Sequence, residues 1–114
     1  MKRARIELKP RLVVGESIAM GPGKADLLEH IAEAGSISAA AKKMRMSYKR
    51  AWQLVESMNA AFKQPLVESV KGGAGGGGAT LTKNGREILA HYRRMQAALD
   101  AQAAAFLSDF KKRF

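Results

Sequence analysis

The sequence has no cysteine among its 114 residues. That absence excludes disulfides, thiolate metal sites and cysteine nucleophiles together. Long apolar runs are also missing, and no uncharged stretch approaches the ~20 residues that span a bilayer. Met1-Lys2-Arg3-Ala4-Arg5 has the basic character of a signal-peptide start, but Glu7, Lys9 and Arg11 break any apolar segment behind it. Export and membrane association are therefore not expected, and the expected location is the cytoplasm. Acids are few, 10 Asp and Glu against 20 Lys and Arg, which leaves a net charge of +10. They are scattered, with no pair spaced for acid–base chemistry, so neither an enzyme nor a cofactor is expected. His30 and His91 have no second ligand at metal spacing and read as surface or packing residues.

What is present fits one small domain. Hydrophobic residues make up 46 % of the chain, enough for a core. A chain this basic is expected to meet an anionic partner. The charge is clustered: Lys42, Lys43, Arg45, Lys49 and Arg50 fall together with no acid among them. Lys63, Lys71, Lys83 and Arg86 lie around a glycine tract, and Lys111, Lys112 and Arg113 close the chain.

Residues 4–14 alternate in a strand-like way through Ile6, Leu8, Leu12 and Val14, with Pro10 demoting the segment to an edge strand or two short pieces. Gly15 to Gly23 reads as a loop. A first helix is expected from about Lys24 to Ala34, its apolar face Leu27, Leu28 and Ile31. Gly35 suits the C-terminal cap and Ser36 the N-cap of a second helix, Ile37 to about Met44. Arg45 and Met46 make a tight connection, and Ser47 caps a third helix from Tyr48 to Phe62. There Ala51, Leu54, Val55, Met58 and Phe62 share one stripe, while Lys49 and Gln53 lie opposite, flanked by Arg50. Tyr48 and Trp52 sit at the edge between the faces. For Trp52 a packing role in the seam is favoured over stacking on a nucleotide; for Tyr48 both readings stay open.

Gln64-Pro65 ends that helix. Leu66 to Val70 and Ala79-Thr80-Leu81 read as two short strands joined by the glycine tract, a hairpin or wing. Thr82 caps a last helix running to about Lys111, roughly 43 Å long at ~1.5 Å per residue. Its stripe is Ile88, Tyr92, Met95, Leu99, Ala103, Phe106 and Phe110, with a mean period of about 3.7 residues, so straight packing is expected rather than a left-handed coiled coil. The expected class is mainly α with a small β-hairpin wing. Residues 1–82 form a winged helix-turn-helix and 83–114 a long helix for dimerisation. No Gly-x-x-x-x-Gly-Lys-Ser/Thr occurs, so the glycine tract is not a phosphate loop.

Two short helices joined by a tight turn, the second basic on its outer face, describe a helix-turn-helix. Reading bases in a major groove requires side chains that hydrogen-bond to base edges, and Lys49, Arg50 and Gln53 suit that task. Ser47 and the first N–H groups of the helix suit a phosphate, with Tyr48 beside them. Lys42, Lys43 and Arg45 add sequence-independent attraction, and Lys71 a wing contact. The opposing reading is a plain three-helix core with a basic surface. The last helix carries more apolar surface than a small domain covers. Pairing of two copies through Ile88, Tyr92, Met95, Leu99, Phe106 and Phe110 is expected, giving two recognition helices for a palindromic site on double-stranded DNA.

Gly35-Ser36-Ile37-Ser38-Ala39-Ala40-Ala41, Met46-Ser47-Tyr48-Lys49-Arg50-Ala51-Trp52, Pro65-Leu66-Val67-Glu68, the glycine tract and Leu81-Thr82-Lys83-Asn84-Gly85 follow one another in order. Over about residues 8–95 the series resembles the N-terminal DNA-binding domain of the molybdate-responsive transcriptional regulators of the ModE type, relatives of the LysR-type winged helices. The resemblance implies a winged helix-turn-helix, dimerisation through a long helix, and operator binding that controls molybdenum transport or molybdoenzyme genes. The family's Ser-Tyr-basic-basic-Ala-Trp motif falls on Ser47 to Trp52. Regulators of the full type carry C-terminal molybdate-binding domains; this sequence resembles a stand-alone version, and direct molybdate binding is not expected of it. The alternatives are a nucleoid-type DNA-binding protein of low sequence choice, a protein-interaction module using the C-terminal aromatics, and a small oxyanion sensor.

Overall fold

A computed structural model describes residues 3–71 and 77–114. The order of elements is β1 (Leu12–Val14), β2 (Ser17–Met20), α1 (Pro22–Ala34), α2 (Ile37–Lys43), α3 (Tyr48–Ala61), β3 (Val67–Val70), β4 (Gly78–Leu81) and α4 (Lys83–Lys111). The class is mainly α with two antiparallel hairpins, β1–β2 and β3–β4.

Local chemistry explains the helix boundaries. Pro22 starts α1, where a missing N–H costs nothing, and Gly35 ends it in the left-handed region at φ 77°. The Ser36, Ser47 and Thr82 side chains each accept a hydrogen bond from a backbone N–H three residues on, at 3.0, 3.0 and 2.9 Å, capping α2, α3 and α4. Between α2 and α3 the turn is closed by Arg45, a non-glycine residue at φ 55°. Such a conformation costs a bulky residue roughly 1–2 kcal/mol, so the surrounding helices hold it there.

Three helices build the core. Leu27, Leu28 and Ile31 of α1, Ala40 and Ala41 of α2, and Ala51, Val55 and Met58 of α3 are all buried. Both alanines of α2 let the neighbouring helices come close. From β4, Ala79 and Leu81 seal one side, and the Ala79 N–H donates to the Gly35 carbonyl at 2.9 Å. The wing register pairs Val67 with Leu81 and Val70 with Gly78.

One expected loop is a strand. Ser17–Met20 pairs with Leu12–Val14 around Gly15-Glu16, and Gly15 has φ 61°. A two-residue turn with glycine first is a favoured hairpin connection, so Gly-x between Val-Val and Ser-Ile was a readable signal. Met20 and Ala19 are buried beneath this hairpin, which fixes its inner face. The longer strand expected over residues 4–14 shrinks to Leu12–Val14, and residues 3–11 are irregular. Their path is set by Tyr92, whose hydroxyl donates to the Pro10 carbonyl at 2.7 Å.

The first half of α4 belongs to this core. Tyr92 is buried, and Ile88 and Leu89 pack against the same cluster. Gly85 lies so close to β3 that a Cβ there would sit 2.1 Å from the Leu66 carbonyl oxygen. Arg93 joins α4 to α1, donating from Nη2 to Asp26 and from Nε to Glu29, both at 2.7 Å. Beyond this, α4 runs clear of the domain, and the molecule measures 57 × 32 × 23 Å.

Candidate nucleic-acid interface

Helix α3 is held at both flanks. At 100° per residue, Tyr48, Trp52 and Asn59 share one flank, Arg50, Leu54 and Ser57 the other, with Lys49 and Gln53 between them and pointing away from the core. Asn59 ties the first flank to the wing: its Oδ1 accepts from the Leu66 and Val67 N–H groups at 2.8 and 3.2 Å, and its Nδ2 donates to the Val67 carbonyl at 3.1 Å. On the other flank, Lys24 from the start of α1 donates to Ser57 Oγ at 3.2 Å and also to the Ile18 carbonyl. The N-terminal half of α3 thus projects between two hairpins. The bonds from both neighbours reach α3 at Ser57 and Asn59 and so hold its other half.

The wing base is fixed in the same way. Thr82 Oγ1 donates to the Pro65 carbonyl at 2.7 Å, its N–H donates to the Leu66 carbonyl at 2.9 Å, and Asn84 Nδ2 donates to the Gln64 carbonyl at 3.1 Å. Neither anchoring role is written in a motif of its own: Asn84 stands inside the Leu81-Thr82-Lys83-Asn84-Gly85 run and Asn59 inside α3. Asn84 follows a threonine cap, a recognisable place for a polar anchor; nothing local marks Asn59.

The proposed contact residues fall as follows. Ser47, Tyr48, Lys49, Arg50 and Gln53 are exposed at the start of α3, and Lys42, Lys43 and Arg45 are exposed beside them at the end of α2 and in the turn. Lys42 and Lys43 also sit in the last turn of α2, where a positive charge complements the helix dipole. Lys71 is exposed just past β3, and the glycine tip Gly72–Gly76 lies outside the described residues. Trp52 departs from the expected packing role. It is 46 % exposed and Tyr48 56 % exposed, and neither belongs to the core. With Ala51 pointing inward, the next residue is carried 100° round the helix to its open flank. Two aromatic rings therefore stand beside the basic residues on one surface.

Electrostatically the surface is one-sided. Among the described residues, Lys42, Lys43, Arg45, Lys49 and Arg50 form no salt bridge within 4.0 Å. Burial, and secondarily the charge of Arg50, hold the Lys24 amine below its ordinary value of 10.5. Unneutralised cations around a projecting helix, with hydrogen-bond donors and aromatic faces among them, make a surface suited to a polyanion with readable edges.

The histidines and the dimerisation residues divide. His30 Nδ1 is buried without a hydrogen-bond partner among the described residues, 4.0 Å from Glu33, and His91 lies 3.3 Å from Arg94. Among the described residues no group of three or more His, Asp or Glu gathers at one point. No described helix is long and apolar enough to cross a membrane. Ile88 and Tyr92, expected at a dimer contact, serve the core of their own chain. Met95, Leu99, Phe106 and Phe110 are exposed along α4 beyond Tyr92, with Phe114 past its end.

Comparison with known proteins gives a consistent picture. The model of the bacterial regulatory helix-turn-helix proteins of the lysR family matches residues 24–86. The molybdenum-pterin-binding protein MopB of Rhodobacter capsulatus is 43 % identical over 93 residues, covering 82 % of this chain and 33 % of the relative. The DNA-binding transcriptional dual regulator ModE of Escherichia coli (strain K12) is 39 % identical over 103 residues, 90 % of this chain and 39 % of the relative. The chain thus spans between a third and two fifths of the length of these relatives. In a crystal structure of the CbnR_DBD–DNA complex, the protein chain superposes with a TM-score of 0.59 at 22 % identity, over 76 % of this chain and 94 % of that one, which shows a shared fold.

Proposed function

The chain belongs to the lysR family of bacterial regulatory helix-turn-helix proteins, and from that premise we propose that it binds double-stranded DNA and regulates transcription. The observation that carries this reading is the exposed start of α3, capped by Ser47 and lined with Tyr48, Lys49, Arg50 and Gln53. Lys49, Arg50 and Gln53 read base edges in a major groove. Ser47 and the first N–H groups of α3 take a phosphate, and Lys42, Lys43, Arg45 and Lys71 add attraction to the backbone.

In this reading residues 1–82 read the DNA and residues 83–114 pair two copies, with the first turns of α4 also serving the core. Two copies joined through Met95, Leu99, Phe106 and Phe110 present their α3 helices to the half-sites of a palindromic operator, about 34–36 Å apart. The likeness to ModE and MopB supports molybdenum transport or molybdoenzyme genes as the targets. The chain then acts as a binding module in the cytoplasm, with no reaction of its own.

The test is capture of genomic fragments by the full chain, then anisotropy titrations of a recovered site against random duplex over a salt series. The recovered site is expected to bind about a thousandfold tighter at equal salt, and to lie upstream of genes for molybdenum uptake or use. Equal affinity for both duplexes overturns sequence reading in favour of a nucleoid-type role. No binding at low salt overturns DNA as the partner.

A further inference from the structure

The groove between the β1–β2 hairpin and α3, about 620 Å³ in volume, shares only Arg50 with the proposed base-reading surface, and its floor is the edge of the core at Met44, Met46 and Leu54. We propose that it binds a small organic anion, an apolar body carrying a phosphate or carboxylate, and that occupancy is linked to DNA binding through Arg50. Ligand sites of this size are mostly apolar with a few polar groups that fix orientation. Here Ile18, Met44, Met46 and Leu54 supply apolar lining. Methionine pairs adapt to ligands of irregular shape.

The charges argue for an anion. Arg11 from the irregular segment just before the hairpin, Lys24 from α1 and Arg50 from α3 face the groove, against one carboxylate, Glu16. Among the described residues none of the three cations has a carboxylate within 4.0 Å. Lys24 already donates to Ile18 and Ser57, so one of its three N–H groups remains. Burial first, and then the charge of the facing Arg50, lower the pKa of the Lys24 amine, and an anion between the two cations would offset the second of these.

A strand of duplex backbone is a poorer occupant. The groove continues past Leu54 to Ser57, about 15 Å along α3 from its N-cap, away from the end that enters a major groove. Its apolar lining also has nothing to offer a solvated sugar–phosphate chain. Arg50 belongs to both surfaces. A ligand that engages its guanidinium withdraws it from the operator, and by linkage DNA then weakens the ligand by the same factor.

The test uses the full chain with selectively labelled methyl groups, titrated with phenyl phosphate, phenol and inorganic phosphate in the absence of DNA. Phenyl phosphate is expected to shift the Ile18, Met44, Met46 and Leu54 methyls in a saturable way. Its affinity should exceed those of phenol and inorganic phosphate by about tenfold each, and Arg11→Met and Lys24→Met should each weaken it by about tenfold. If Lys24→Met loses native dispersion, Arg11→Met alone decides, since that side chain makes no hydrogen bond among the described residues. Unsaturable shifts, equal binding of inorganic phosphate, or unchanged affinity in Arg11→Met overturns the site. The coupling rests on the DNA reading and has a separate arm: phenyl phosphate, but not phenol, should weaken the operator complex. Saturable binding by a chain that binds no duplex leaves the site standing and removes the DNA reading instead.

Discussion

Arg50 and Lys43 carry the same charge but stand in different relations to the proposed duplex. Arg50 projects from the first turn of α3, whereas Lys43 ends α2 behind it. Arg50→Ala is expected to cost about 1–3 kcal/mol on the operator and to relax its specificity, while Lys43→Ala should weaken every duplex alike and flatten the salt slope by about one. Anisotropy over a salt series distinguishes them, and equal losses on random DNA for Arg50→Ala would remove its base-reading role. Tyr92 gives a prediction about pH. Burial raises its phenol above the ordinary 10.0, Arg93 pulls it down, and Asp26 adds to the rise. The folded chain therefore holds this proton more tightly than the unfolded one. Its contribution is complete below pH 10.0 and is lost as pH climbs through the raised folded value. Tyr92→Phe removes the bond to the Pro10 carbonyl, worth about 1 kcal/mol at neutral pH. Urea melts should show that the gap between wild type and variant narrows above pH 10.0.

At the scale of elements, stability depends on how α3, the wing and α4 meet around residues 64–67. Gly85 is there because the first turn of α4 lies against the Leu66 backbone, not because its own backbone needs a left-handed angle. Gly85→Ala forces the two apart and should cost about 1–3 kcal/mol in thermal unfolding. An alanine accepted at no cost would mean that α4 docks differently. Asn59→Ala strands the Leu66 and Val67 N–H groups, both served by one carbonyl oxygen. It should also cost about 1–3 kcal/mol, and hydrogen exchange should quicken first in β3. Loss confined to α3 would show that the asparagine does not join the two elements.

The whole molecule is elongated because α4 outruns the domain it packs on. Phe106, Phe110 and Phe114 are 65, 55 and 75 % exposed. Large aromatics left so open at and just past the end of one helix suit a surface that meets a partner. Sedimentation at micromolar concentration should find a dimer for the wild-type chain and a monomer for Phe106→Ser/Phe110→Ser, with operator affinity falling in parallel. A wild-type monomer would end the pairing proposal. Arg93 matters at this scale too. By joining α1 to α4 through Asp26 and Glu29, it holds the helix against the domain, and in the proposed dimer it would set the separation of the two recognition helices.

The sequence by itself determined the elements that rest on short-range rules. Serine and threonine caps, a glycine after α1, and apolar residues three and four apart fix α1 to α4 because helical bonds reach only four residues along the chain. The same rules set Lys49 and Gln53 opposite Ala51 and Val55. The β1–β2 hairpin is equally local, but its Gly-Glu turn is masked in the sequence by the stronger loop signal of Gly21-Pro22-Gly23. Other features only the tertiary structure decided. The α4 stripe is continuous in sequence, yet Ile88 and Tyr92 face their own domain while Leu99 and Phe106 face outward, because the core extends along only half the helix. The partner of Tyr92 is 82 residues away. Which flank of α3 Arg50 and Trp52 occupy acquires meaning only once a hairpin stands on each side. Such contacts follow from where distant segments come to rest against one another, which no spacing within a single element encodes.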